Sequence, residues 1–162
     1  MRGLGYYGLS AVVFALDRLT KRIIEQRVSV FDAHTVIPGF FDIVHARNRG
    51  AAFSMFADST SAWRPFFLIG LSVAALVLVA AILRNASRLD RPTAIGLSLI
   101  LGGALGNVFD RIVSGAVTDF LDFYVGQFHW PAFNLADSAI VIGSGLLLIS
   151  LLRPKQQQPA DA

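Results

Sequence analysis

The sequence predicts an all-α membrane protein, four transmembrane helices with a small external β-rich segment between the first and the second. Three observations predict it. Of 162 residues, 54% are hydrophobic and only 15% charged, and the mean hydropathy is +0.59, a composition foreign to soluble domains. Four apolar runs, residues 4–24, 65–83, 92–109 and 133–152, each approach the roughly 20 residues that cross a hydrocarbon core. The connection over residues 25–64 is too long for a turn and carries strand-like stretches. Residues 1–153 are expected to form a single domain, followed by a polar tail over 154–162.

The first run is free of charge only over residues 4–16, and it continues Asp17-Arg18-Leu19-Thr20-Lys21. No small-x-small cleavage pattern follows, so an uncleaved span is expected rather than a removed signal peptide. In the connection, residues 28–31 and 41–46 read as strands around a Pro38-Gly39 turn. Their aromatic content predicts a sheet lying against the outer membrane surface. The second run has no charge from Phe66 to Leu83. The third contains Gly102 and Gly106, a GxxxG spacing that predicts close helix packing. A phosphate loop is excluded by the lack of a following Lys-Ser/Thr. Residues 114–130 read as a loop, and the fourth run carries one charge, Asp137, about a turn inside its start.

Charge sets the orientation. The 84–91 connection holds three arginines, and Arg2, Arg153 and Lys155 flank the termini, whereas residues 114–130 hold no lysine or arginine. Both termini are therefore expected in the cytoplasm, although Arg27, Arg47, Arg49 and Arg64 crowd the external connection. The net charge of +3 and pI near 9.8 reflect that orientation. No basic stripe with interleaved aromatics appears, so no nucleic-acid partner is expected. There is no cysteine, which removes disulfides and thiolate metal sites. No internal repeat of the transporter kind is present, and the chain is expected to act as a monomer among membrane lipids.

Polar groups inside apolar spans carry the chemistry, because they are costly in hydrocarbon. Antiparallel connection brings Asp17, Asp110 and Asp137 to one membrane face, the external one in this orientation. Asp17 with Lys21, Asn107 with Asp110 or Arg111, and Asn134 with Asp137 have spacings that put partners on a shared helix face. Asp17 with Lys21 and Asp110 with Arg111 read first as structural pairs. Asp137 must be protonated, partnered or open to a water-filled cleft. Two nearby carboxylates that share a proton can activate water and protonate a leaving group; Asp137 with Asp119 is the best-placed pair, though spacing alone leaves Asp119 equally a turn residue. His34, His45 and His129 lack metal-ligand spacing, so no metal and no cofactor are expected. A serine hydrolase using Ser54 or Ser138 with Lys21 as base stays open at this point.

The ordered set Asp17-x-x-Thr20-Lys21, Asn48-x-Gly50-Ala51-Ala52-Phe53-Ser54, Gly102-Gly103-x-x-Gly106-Asn107-x-x-Asp110-Arg111, Val117-x-Asp119-Phe120 and Phe133-Asn134-x-Ala136-Asp137 resembles the lipoprotein signal peptidase family, signal peptidase II. The resemblance spans residues 17–140. It implies a four-span aspartyl endopeptidase of the bacterial inner membrane that removes signal peptides from prolipoproteins, just before a diacylglyceryl-modified cysteine. It places the catalytic pair on Asp119 and Asp137. Supporting roles fall on Asp17, Lys21, Asn48, Gly50, Asn107, Asp110, Arg111 and Asn134. One departure is Arg18, where the family usually has glutamine. The rival from another class, a carboxylate-based proton or ion transporter, needs polar groups continuing to the opposite face, and the cytoplasmic halves of the spans are apolar.

Overall fold

A computed structural model describes residues 2–50 and 63–152. The 51–62 part of the connection between the first two helices, with Ser54, and the 153–162 tail lie outside the described residues. In chain order the elements are α1 (Arg2–Arg27), β1 (Ala33–Ile37), β2 (Phe41–Asn48), α2 (Arg64–Leu83), a short 3-10 turn (Ala86–Arg88), α3 (Arg91–Ser114), β3 (Val117–Val125), β4 (Phe128–His129) and α4 (Leu135–Leu152). Three helical stretches, Phe66–Leu83, Arg91–Ser114 and Leu135–Leu152, are long and apolar enough to cross a membrane. α1, with Asp17, Arg18, Lys21, Arg22, Glu25 and Arg27 in its C-terminal half, is not among them.

α3 is the central helix, and its glycines explain how the bundle closes. A Cβ at Gly102 would meet the backbone oxygen of Ser10 and the side chain of Val13 on α1, and one at Gly106 would meet the Asp17 carboxylate. Gly103 lies against the Ala136 oxygen on α4, while Gly96 and Gly143 oppose one another across the α3–α4 contact. The GxxxG face therefore seats α1, and the intervening glycine seats α4. α2 joins through Leu83, packed with Leu97 and Leu101 of α3. Elsewhere the helices turn residues such as Leu71, Val77, Val141 and Leu148 outward, the pattern of lipid-facing surfaces.

The sheet differs from the expectation. Its order is β1-β2-β3-β4, all antiparallel, so half of its strands come from residues 114–130, which read as a loop. Residues 28–31 are not a strand. α1 runs to Arg27, the Val28 amide still donates to the Ile24 oxygen, and Val28 is buried with Ile24 and Phe120; its β-branched side chain fills a helix-end core. The first strand begins later, at Ala33, and the Pro38-Gly39 turn is present with Gly39 at φ +77°. α3 outlasts the third apolar run and stops at Gly115, whose φ of +68° ends the helix.

Candidate active site

α4 begins with a reciprocal cap. Asn134 Oδ1 accepts the Asp137 amide at 3.0 Å, and Asp137 Oδ2 accepts the Asn134 amide at 3.3 Å. This is the capping-box arrangement, with Asn at the cap and the acid three residues on. The expectation that Asn134 and Asp137 share a helix face is thus corrected. Asn134 stands just before the helix, and the i, i+3 spacing serves its N-terminus. The Ala136 amide, another of the unpaired first-turn donors, goes to Asp17 Oδ1 at 3.0 Å.

Asp17, Asp110, Asp119 and Asp137, which meet around Asn107 and Asn134, divide into two kinds. Asp17 and Asp110 are locked in ion pairs: Lys21 Nζ lies 2.9 Å from Asp17 Oδ2 and 2.7 Å from Asp110 Oδ2, and its third bond goes to Asn107 Oδ1 at 2.9 Å. Lys21 and Asp17 are both fully buried. Asp110 also binds Arg18, whose guanidinium lies 4.7 Å above the Phe109 ring. The expected Asp110–Arg111 pair is therefore absent, since successive residues on a helix point apart. Arg111 instead donates to the Gly50 oxygen at 3.1 Å and the Asn107 oxygen at 3.3 Å. Arg18, noted in the sequence only as a departure, is thereby a partner of the buried cluster.

Asp119 and Asp137 are held by neutral amides. Asp119 Oδ1 accepts from Asn134 Nδ2 at 2.7 Å and Oδ2 from Asn48 Nδ2 at 3.0 Å. Asp137 Oδ1 accepts from Asn107 Nδ2 at 2.8 Å. None of the ion pairs among the described residues involves either acid. Asn107 links the two layers, because its amide oxygen also accepts from Asn134 Nδ2 at 3.3 Å. Asn48 in turn receives the Gly50 amide on Oδ1 at 2.8 Å.

Asp119 lies on β3, not in a loop, and is 2% exposed. Burial first, and then the nearby Asp137 carboxylate, push its carboxyl up from 3.8 to about 6, against the lowering effect of Asn48, Asn134 and Lys21. Both acids line one cavity of about 740 Å³, together with Asn48, Asn107 and Arg111 at its polar end. The rest of its wall is largely apolar, from Leu68, Leu71 and Ala75 of α2 and from Ile140 and Val141 of α4. Ser138 also lines it, but its hydroxyl donates to the Asn134 oxygen, and the three Lys21 bonds go elsewhere. The serine–lysine alternative gains no contact here. Among the described residues no three His, Asp or Glu side chains gather closely enough to hold a metal ion.

Comparison with known proteins gives the family. The profile of the Signal peptidase (SPase) II family matches residues 9–153. A lipoprotein signal peptidase of Solibacter usitatus is 62% identical over 151 residues, 93% of this chain and 92% of that protein. One from Maridesulfovibrio salexigens is 40% identical over 147 residues, covering 91% and 94%. A solved structure of a bacterial membrane enzyme, determined in meso at 2.3 Å resolution, superposes with a TM-score of 0.83 at 29% identity, over 97% of this chain and 94% of that one. With a profile match across nearly the whole length and relatives this similar, the chain belongs to the signal peptidase II family, the lipoprotein signal peptidases.

Proposed function

We propose that the protein is an aspartyl endopeptidase of the bacterial inner membrane, with Asp119 and Asp137 as its catalytic pair. It cleaves the signal peptide of a prolipoprotein just before the diacylglyceryl-modified cysteine. The observation that carries this reading is the division of the acids: Asp17 and Asp110 are tied up by Lys21, whereas Asp119 and Asp137 face a common cavity on neutral donors. A carboxylate free of ion pairs can exchange a proton. Two of them side by side share one, because the second charge is disfavoured.

In the reaction the ionised carboxylate takes a proton from water as its oxygen attacks the scissile carbonyl. The other carboxyl gives its proton to the departing amide nitrogen, so the pair again holds one proton, now on the carboxyl that took it from water. Asn48, Asn107 and Asn134 fix the two acids, and Arg111 lies where it can bind a substrate carbonyl. The apolar wall between α2 and α4 suits a signal helix arriving sideways from the bilayer. In this reading α1 is the first of four spans, residues 1–153 are one domain, both termini are cytoplasmic, and a monomer works at the external face.

The test is cleavage of a diacylglyceryl-modified prolipoprotein by purified protein in detergent with excess chelator. Turnover by the parent, loss with Asp119→Asn or Asp137→Asn, and no further loss in the double variant are expected, since paired groups act non-additively. Cleavage by folded Asp119→Asn or Asp137→Asn protein would reject the dyad, and equal cleavage of unlipidated substrate would remove the lipid requirement.

A further inference from the structure

Two carboxylates on α1 each bind the residue immediately before one of the paired acids. Asp17 Oδ1 accepts the amide of Ala136, next to Asp137, at 3.0 Å. Glu25 Oε1 accepts the hydroxyl of Thr118, next to Asp119, at 2.7 Å. Asp17 and Glu25 are eight residues apart, about 12 Å along a rigid helix. Nothing else on the described part of α1 bonds by side chain to β3.

The Thr118 side of this arrangement belongs to no motif, yet its geometry is specific. Successive side chains of a strand alternate between faces. On β3, Val117 and Asp119 face the cavity, while Thr118 and Phe120 face away, and Phe120 packs on Ile24 and Val28 at the end of α1. Thr118 is 5% exposed, and a buried hydroxyl without a partner is costly. Glu25, itself an exposed residue, supplies that partner and fixes β3 along α1. Without this bond β3 keeps its ladder to β2, its backbone bonds to Phe133 and the apolar contact of Phe120 with α1. What is lost is the polar tie that fixes the Thr118–Asp119 end of the strand against the helix.

We infer that Glu25 and Thr118 are positioning residues for Asp119, so that α1, gripping Ala136 with Asp17 and Thr118 with Glu25, sets the separation of the two acids. The inference rests on the reading of Asp119 and Asp137 as the dyad. A shared proton and a single water demand a fixed gap, and misplacement by about 1 Å from a remote change can cost about 100-fold.

The experiment is steady-state cleavage by the full chain in detergent, with kcat and KM measured separately. Thr118→Val keeps size and strand preference but removes the donor. It should lower kcat about tenfold with KM within about twofold, because the loss is of alignment and not of substrate affinity. Thr118→Ser should restore kcat. Glu25→Gln, whose amide oxygen still accepts, should match the parent, whereas Glu25→Ala should match Thr118→Val, and Glu25→Ala with Thr118→Val should be no worse than either. Glu25 is exposed, so its variants keep the test alive should Thr118→Val fold poorly. Parental kcat in Glu25→Ala, or losses that multiply in the double variant, would overturn the inference. Asp119→Asn separates the two ideas: if it cleaves, the dyad reading fails; if it is dead while Glu25→Ala is unaffected, only the positioning role fails.

Discussion

Replacing Asp119 by asparagine should abolish cleavage and yet make the protein more stable near neutral pH. The Asp119 carboxyl is raised from 3.8 to about 6 by burial and by Asp137. A group whose folded-state pKa is raised holds its proton more tightly in the folded protein. Ionising it therefore destabilises the fold, an effect fully present above about pH 6 and gone once pH falls below 3.8. At about 1.4 kcal/mol per pH unit, the interval from 3.8 to about 6 corresponds to about 3 kcal/mol. Asparagine removes that term but changes one hydrogen bond. Its amide oxygen can still face Asn134, 2.7 Å from Oδ1, whereas its NH2 then meets the Asn48 amide donor, 3.0 Å from Oδ2, at a loss of about 1 kcal/mol. The variant should thus be more stable by about 2 kcal/mol at pH 8 and less stable by about 1 kcal/mol below the lower pKa. Denaturant titrations of parent and variant in mixed micelles at pH 8, 6 and 4 measure the difference, most of which should have swung by pH 4. A stability difference independent of pH, or one that grows as pH falls, would refute the account of Asp119. The same linkage sets the sign of activity: kcat/KM of the parent should fall about tenfold per pH unit above about 6, as the free enzyme loses the shared proton.

Lys21→Met should destabilise by about 3–5 kcal/mol, because it leaves Asp17 a buried carboxylate without its cation, while Asp110 keeps Arg18. Thermal unfolding in detergent checks this, adding Asp17→Asn should recover part of the loss, and an unchanged midpoint would contradict the ion-pair geometry. Reporter fusions near Asn85 should be cytoplasmic and those near Gly126 external; the opposite pattern would reverse the proposed orientation.

What the sequence made legible follows from where polarity is costly. Asp17, Asn107, Asp110 and Asp137 stand out because they interrupt apolar runs, and the antiparallel order of the runs brings them to one end, where the structure has them. Asp119 could not be found that way. It sits on a strand whose partner, β2, lies some 70 residues earlier, with Ala46 opposite Asp119. Such pairing leaves no local signal: position put Asp119 forward as the partner of Asp137 but left it equally a turn residue, and the Val-x-Asp-Phe resemblance decided between the two. The pairing of Asp110 with Arg18 was equally hidden, since it crosses from α3 to α1. Thr118 and Glu25 carry no mark in the sequence at all, because a hydroxyl on a strand and a carboxylate at a helix end are ordinary until the fold joins them.

The glycine seams divide the cavity wall into a fixed side and a side that can yield. Backbone meets backbone where Gly96 opposes Gly143 and Gly103 opposes Ala136, so α3 and α4 cannot part without opening close main-chain contacts. Among the described residues, no atom of another element lies within 4 Å of where a Cβ at Gly70 on α2 would stand. α2 is gripped instead near its far end, around Leu76, Val79 and Leu83, while Leu71 and Ala75, nearer the acids, line the cavity. It is built like a lever held at the end away from the acids. On the proposed function a guest helix would enter by swinging α2 outward, and the chain's lack of cysteine makes the idea simple to examine. A disulfide tying the Leu71 region of α2 to the Val141 region of α4 should stop cleavage until reduced, whereas one across the α3–α4 seam should not; free turnover with the first bridge closed would exclude α2 as the door.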